Sequence, residues 1–236
     1  MLLVFIDETS DAKFKDYLGF SIAHINSRFY PSLKIVAQKI LLESGWNSST
    51  EFKGSYLFSK TQGCTDVEIE RRVAAAHRLL DLNVASSNSR LRFHYGRMVS
   101  TTHGSDYVRH LPILLNKSLP AAPPGAGKNL ISIQCDERSD VKSDELHEAL
   151  SAVASKRGYV LLERIVTVKS TFDTVGLMFA DLVGYLAARI DTINSDAELF
   201  ESLTTEQKKK SGKLRKLQSS TELISKIKQL TLYEHK

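Results

Sequence analysis

Apolar positions in this chain come in two patterns, short continuous runs and stripes at helical spacing, and the two alternate. Leu2–Ile6 is a run of five apolar residues that stops at two adjacent acids, Asp7 and Glu8. Such a run, bounded by polar residues, predicts a strand buried on both faces. Tyr17–Ile25 predicts a second strand, and Asn26-Ser27 a tight connection to a short third strand around Arg28–Tyr30. Pro31 then opens a helix through Leu42, with Leu33, Val36, Ala37, Ile40 and Leu41 on one stripe. The stretch "SGWNSST" breaks it, and a short extended piece, "EFKGSYLF", follows.

Helical periodicity returns over Asp66–Leu82, "LRFHYGRMV" is strand-like, and Tyr107–Leu119 predicts a further helix before the loop "PAAPPGAGKN". Leu130–Cys135 is a second buried strand, ended by Asp136. Ser143–Arg157 reads as helix and "YVLLERIVTV" as one strand. "STFDTVGLMFADLVGYLAARI" is a long, very apolar helix in which Ser170 and Asp173 have the spacing of a capping box. From Asp191 onward the pattern is polar and helical, with one stripe of Leu223, Ile224, Ile227 and Leu230. Strands alternating with helices after an antiparallel hairpin predict an α/β fold with a mixed sheet. The hairpin supplies its antiparallel edge, and the remaining strands are largely parallel.

Composition narrows the class. With 236 residues, 42% of them hydrophobic, the chain suits one large domain or a domain with appended elements. No stretch approaches the roughly 18 apolar residues of a membrane span. Acids arrive by residue 7, unlike a secretory signal, and the two cysteines, Cys64 and Cys135, lack both a disulfide framework and zinc-site spacing. The expected location is cytoplasmic. A net charge of +5 and a pI near 9.1 favour polyanionic partners. Gln207–Lys216 concentrates that charge in Lys208, Lys209, Lys210, Lys213, Arg215 and Lys216, with no acid among them. The segment is either a solvated helix face or a set of phosphate contacts.

Three acids stand out. Asp7 and Asp136 each end an apolar strand, and in an open α/β sheet the carboxyl ends of parallel strands face one crevice. Each could equally be a turn initiator, since Asp bonds its own local backbone. Asp181 lies among Leu177, Met178, Phe179, Ala180, Leu182, Val183 and Leu186, in a helix apolar nearly all round. A carboxylate there is either paired, with Arg164 or Arg189 as partner, or a metal ligand. Carboxylates from two strand ends and a helix make an all-oxygen site suited to Mg²⁺ or Mn²⁺, whose chemistry around phosphate is phosphodiester hydrolysis. "PPGAGKN" is not a phosphate loop: Ala122 stands where the first glycine is needed, and Asn129 follows Lys128. His94, His103 and His110 read as satisfied core or surface histidines rather than a general base, and Cys135 points into the core opposite Asp136.

These residues fall in motifs that resemble the bacterial and phage family catalogued as domain of unknown function 3800. "FIDETS" is similar to its F/Y-I-D-E-S-G opening, "EFKGS" to its E-x-K-G-S segment, "IQCD" to its central strand aspartate, and "GLMFADLVGY" to its G-L-Q-x-A-D-L-V-A closing helix. The four follow in family order through residue 190 or so. Thr9, Ser10 and Met178 depart from the pattern, and no departure removes a carboxylate. The resemblance implies a ribonuclease H-like fold over residues 1–192, with 193–236 a basic helical extension packed on or beside it. It also implies a metal-dependent nuclease acting on DNA or RNA. Carried over, Asp7, Glu51, Asp136 and Asp181 are the implied ligands of Mg²⁺ or Mn²⁺, with Glu8 beside the first and Lys53 holding phosphate. Two alternatives are a nucleic-acid-binding module on the same fold that does not cut, and an interaction protein whose C-terminal helices dock a partner.

Overall fold

The computed structural model describes residues 1–10, 17–46, 52–57, 65–84, 91–99, 103–124, 128–190, 198–199, 201–210, 213–228 and 231–234. The N-terminal run forms β1 (Leu2–Ser10), which pairs antiparallel with β2 (Tyr17–Asn26) from Leu2↔Asn26 to Ser10↔Leu18. β2 pairs antiparallel with β3 (Leu91–Val99). On its other side β1 runs parallel to β4 (Asn129–Asp136), and that pairing ends at Ile6↔Cys135. The seven-stranded sheet has the order β5-β4-β1-β2-β3-β7, with β6 also on β4, and β2 alone runs against the rest. The architecture is a mixed α/β sheet flanked by helices, as the alternation of strands and helices along the chain predicts. The hairpin lies at the centre of this sheet, not at its edge as expected, because β3 and β4 add to its two sides.

Several local expectations give way to specific contacts. In place of a third strand at Arg28–Tyr30, the Arg28 N–H donates to the Asn26 side chain at 3.0 Å, and the chain turns into α1 (Tyr30–Glu43) with Pro31 in its first turn. "EFKGSYLF" holds a 3₁₀ turn, Gly54–Leu57, rather than an extended piece. α2 (Asp66–Val84) and α3 (His103–Ser118) form much as predicted, and so does α4 (Ser143–Lys156). "YVLLERIVTV" divides into β5 (Tyr159–Leu161) and β6 (Val166–Val168), both parallel to β4, because Ile165 leaves the strand line to enter the core.

The apolar helix α5 (Val175–Ala187) starts five residues after Ser170. The Thr174 hydroxyl accepts from the Thr171 N–H at 2.6 Å and donates to the Lys169 carbonyl at 2.9 Å, tying 169–174 into a turn in place of the capping box. After α6 (Thr205–Lys210) and α7 (Lys213–Lys228), an unforeseen β7 (Thr231–Glu234) adds parallel to β3. Leu223, Ile224 and Ile227 of α7 are buried, while Leu230 lies outside the described residues. Among the described residues no helix is long and apolar enough to cross a membrane.

Strand alternation divides the interior into two cores. Phe5, Ala23, Ile25, Phe93 and Tyr95 face α1, α2, α5 and α7, whereas Val4, Ile6, Phe20, Ile22, Ile133 and Cys135 face α3 and α4. Cys135 is fully buried there, and Cys64 lies outside the described residues. α5 lies hard against the central hairpin. A Cβ at Gly176 would meet the Phe5 ring at 2.3 Å, and one at Gly184 would meet Ser21 Cβ at 3.1 Å. Gly176, Ala180 and Gly184 are spaced four apart, so they form one thin face along the helix.

On the α3 side, His24 and His94 stack at 4.9 Å with their Nε2 atoms 2.8 Å apart. Burial, then the neighbouring His94 and Arg92, lowers His24 to about 3, and burial with Arg92 lowers His94 to about 4. Below pH 6.5 an unfolded imidazole takes up a proton that the folded pair refuses, so this pair weakens the fold as pH falls toward 4.

Two outcomes are expected from this packing. Gly176→Ala should lower the free energy of unfolding by about 1–3 kcal/mol in denaturant titration, since an added methyl has no room beneath α5. An unchanged midpoint would show that the helix can lift at no cost. The Tm advantage of wild type over a His24→Asn/His94→Asn variant should shrink between pH 7 and pH 4, because only wild type carries the two depressed imidazoles. A constant difference across that range would remove the pair from the acid response.

Candidate active site

β1 and β4 part company one residue beyond Ile6 and Cys135, and there the acids begin. Asp7 is the next residue of β1, still paired with Ser21 of β2, while Asp136 closes β4 beside Val168 of β6. Asp7 is therefore not at the end of its strand, as the sequence suggested, but where β1 outruns β4. A crevice results at the carboxyl end of β4, alongside the part of β1 that continues past it.

α5 roofs this crevice. From Val175 to Ala188 every residue of it is buried except Asp181 and Tyr185, which are half-buried and one turn apart. The close approach through Gly176 and Gly184 holds that turn over β1. The 3₁₀ turn then packs on α5: the Gly54 N–H donates to Asp181 Oδ2 at 3.1 Å. A Cβ at Gly54 would fall 2.6 Å from that of Tyr185, so only glycine fits here. Phe52 anchors the segment, buried, stacked on Trp46 at 4.8 Å and donating its N–H to the Ser170 carbonyl at 3.1 Å. Lys53 is thereby held with its Nζ 3.9 Å from Asp136 Oδ2.

Together these groups line an open cleft of about 270 Å³. Its acids are Asp7, Glu8, Asp136 and Asp181, its cations Lys53 and Arg189, and Thr9, Ser55 and Tyr185 complete the wall. Asp7 is only 6% exposed. Burial first, and then the charges of Asp181, Glu8 and Asp136, push its carboxyl well above the usual range against the opposing pull of Lys53. Glu8 leaves the strand on the opposite face, where Arg138 Nη1 meets its Oε1 at 2.9 Å. Burial raises it to about 7 despite that arginine. Its other oxygen, Oε2, is buried with no hydrogen-bond partner among the described residues.

Arg138 is itself clamped by Asp140 at 2.6 and 2.7 Å and lies 4.9 Å over the Tyr107 ring. Neither arginine weighed against Asp181 forms an ion pair with it among the described residues. Arg164 pairs with Asp144, and Arg189 lies 3.6 Å over the ring of Tyr185. Sequence reading missed Gly54, Tyr107, Arg138 and Tyr185. Tyr185 and Arg189 follow Asp181 at intervals of four, a signal that was present in the periodicity.

The remaining candidates are elsewhere. Glu51 lies outside the described residues. His94 faces the α3 side, two strands from Asp7, and His110 lies 3.9 Å from Asp106. The side chain of His103 is outside the description, as are those of Lys209, Lys210, Lys213, Arg215 and Lys216, although the backbone of all six is helical. Lys208 is described and meets Glu201 at 3.5 Å.

A divalent cation fits this donor set chemically. A buried Asp7 among like charges is a group that a cation would satisfy, and oxygen donors suit Mg²⁺ or Mn²⁺. Among the described residues no three Asp, Glu, His or Cys side chains already converge on a single ion position.

Comparison with solved structures finds ribonuclease H2 from Pyrococcus horikoshii OT3, at 12% identity and a TM-score of 0.44 over 97% of this chain and 99% of that one. It finds RNase HII from Archaeoglobus fulgidus, solved as a complex with PCNA, at 8% identity and 0.45 over 95% and 89%. A mutant Bst-RNase HIII is similar at 11% identity and 0.40 over 95% and 69%. No protein-family model matches the chain, and no curated protein matches it. Likeness at this level transfers no residue role, so the cleft stands on its own geometry and the fold on its strand order and directions.

Proposed function

We propose that this chain is a nuclease of the family catalogued as domain of unknown function 3800, using Mg²⁺ or Mn²⁺ to hydrolyse phosphodiester bonds of DNA or RNA. The observation that carries the reading is Asp7, buried where β1 outruns β4 and sharing one cleft with Asp136 and Asp181. Nothing about folding favours such a cluster, since each carboxylate raises the cost of ionising the others. In this reading Asp7, Asp136 and Asp181 hold the ion, and Glu51 joins them from the segment before Lys53.

A bound divalent ion supplies Lewis acidity at a phosphoryl oxygen and a lowered pKa for water. The protein supplies the rest. Gly54 fixes one oxygen of Asp181 through its N–H. Lys53 brings a cationic Nζ beside Asp136, where the negative charge of an entering phosphate collects. Arg138 locks Glu8 and keeps it at the edge of the acidic group. The basic residues of 193–236, Lys208–Lys210, Lys213, Arg215 and Lys216, extend the electrostatic attraction for a strand.

Purified protein is expected to cut at least one of single-stranded DNA, duplex DNA, RNA or hybrid with Mg²⁺ or Mn²⁺, and none of them in chelator. Asp7→Asn and Asp181→Asn should each reduce that rate about 100-fold or more. Full metal-dependent cleavage by Asp181→Asn would sink the assignment, and chelator-insensitive binding without cleavage would leave a binding module instead.

Thermal unfolding gives an independent check. Without metal, Asp7→Asn should melt a few degrees above wild type at pH 8. The gap should narrow as pH falls, because a carboxyl raised in the fold regains stability on protonation. Mn²⁺ should raise the Tm of wild type and leave the variant nearly unmoved. Equal Mn²⁺ shifts in both would place the ion elsewhere.

A further inference from the structure

Arg189 follows α5, and it occupies a place that nothing in the acidic cluster requires. Its guanidinium lies 3.6 Å from the centre of the Tyr185 ring, yet among the described residues it makes no ion pair, although four carboxylates line the same cleft. Side chains at a helix end lean toward its N-terminus, and here that direction leads from Arg189 over Tyr185 toward Asp181. Tyr185 is one turn, about 6 Å, beyond Asp181 along the axis. Stacking on a ring fixes the plane of a guanidinium and leaves its N–H edge available, the arrangement suited to two parallel bonds to a phosphate. Ser55, exposed on the adjoining 3₁₀ turn, adds a hydroxyl to the same wall.

Resting on the reading of the acidic cluster as the reacting centre, we propose that Arg189 on Tyr185 is a second phosphate subsite. It grips a backbone phosphate next to the one that reacts, so the substrate is a polynucleotide strand rather than a mononucleotide or a simple phosphodiester. A lone phosphodiester fills the acidic centre and leaves the guanidinium unmet. A strand satisfies both at once, and the distance between the two sites sets which bond lies over the acids. The charge of Arg189 also suits the C-terminal end of α5, a purely structural role that Arg189→Lys would preserve.

The test compares wild type, Arg189→Ala and Arg189→Lys on short labelled strands of RNA, DNA and hybrid. Binding is read by fluorescence anisotropy in chelator over a range of salt, and cleavage is read with Mn²⁺ on a strand and on bis(p-nitrophenyl) phosphate. Arg189→Ala should weaken strand binding about tenfold and lower the slope of log K against log salt by about one. For strand cleavage it should raise KM more than it lowers kcat, and the preference for strand over the small diester should drop about tenfold. Arg189→Lys should keep the wild-type Tm and much of the salt slope but recover only part of the affinity, because a point charge lacks the fork.

Unchanged binding and salt slope in Arg189→Ala would overturn the subsite while leaving the nuclease reading intact. Full recovery of affinity by Arg189→Lys would also overturn it, reducing the residue to a charge at a helix end. If wild type binds strands but cuts nothing, the nuclease reading fails and the anisotropy series still decides the subsite. If wild type binds no strand, both fail.

Discussion

The rest of the site depends on how closely α5 lies on the central hairpin. With no side chain at Gly176 or Gly184, the helix backbone comes down onto Phe5 and Ser21. Two things follow from that one contact. The helix buries nearly its whole circumference, which gives the larger of the two cores its centre, and the turn bearing Asp181 and Tyr185 is pressed over β1. Apolar burial along α5 holds Asp181 against Asp7, and the repulsion between them is sustained by that burial. A helix standing farther off would relieve the acids and loosen the core together.

The second constraint is strand parity. Asp7 and Glu8 are adjacent in sequence, yet the pleat sends Asp7 under α5 and Glu8 toward α3. Their surroundings then differ in kind. Asp7 faces two further acids with Lys53 as the counter-charge, whereas Glu8 meets an arginine that is itself fixed by Asp140 and by the Tyr107 ring. One dipeptide thus serves two faces of the sheet.

Where the sequence pattern misled, short-range contacts had outvoted it. An Asn side chain accepting a backbone N–H turned an expected strand into a helix entry, and a threonine hydroxyl bonding backward cut the long helix at its start. The split of "YVLLERIVTV" into β5 and β6 depended on a core pocket for Ile165, which exists only once α3 and α4 are in place. β7 was invisible because a four-residue strand at a sheet edge carries little pattern and is fixed by its partner β3.

What the sequence by itself determined was the existence of the buried strands, the apolar helix and an acid lodged in each, because hydrophobic periodicity and the cost of burying charge are local properties of the chain. It also made oxygen the donor type of those acids, and oxygen donors restrict the metals that would suit them. Which face of β1 each acid takes, which arginine meets which carboxylate, and that a glycine N–H holds Asp181 were decided only by the tertiary structure. Those facts depend on where β1 outruns β4 and on how far α5 descends, and both are set by packing among segments more than a hundred residues apart.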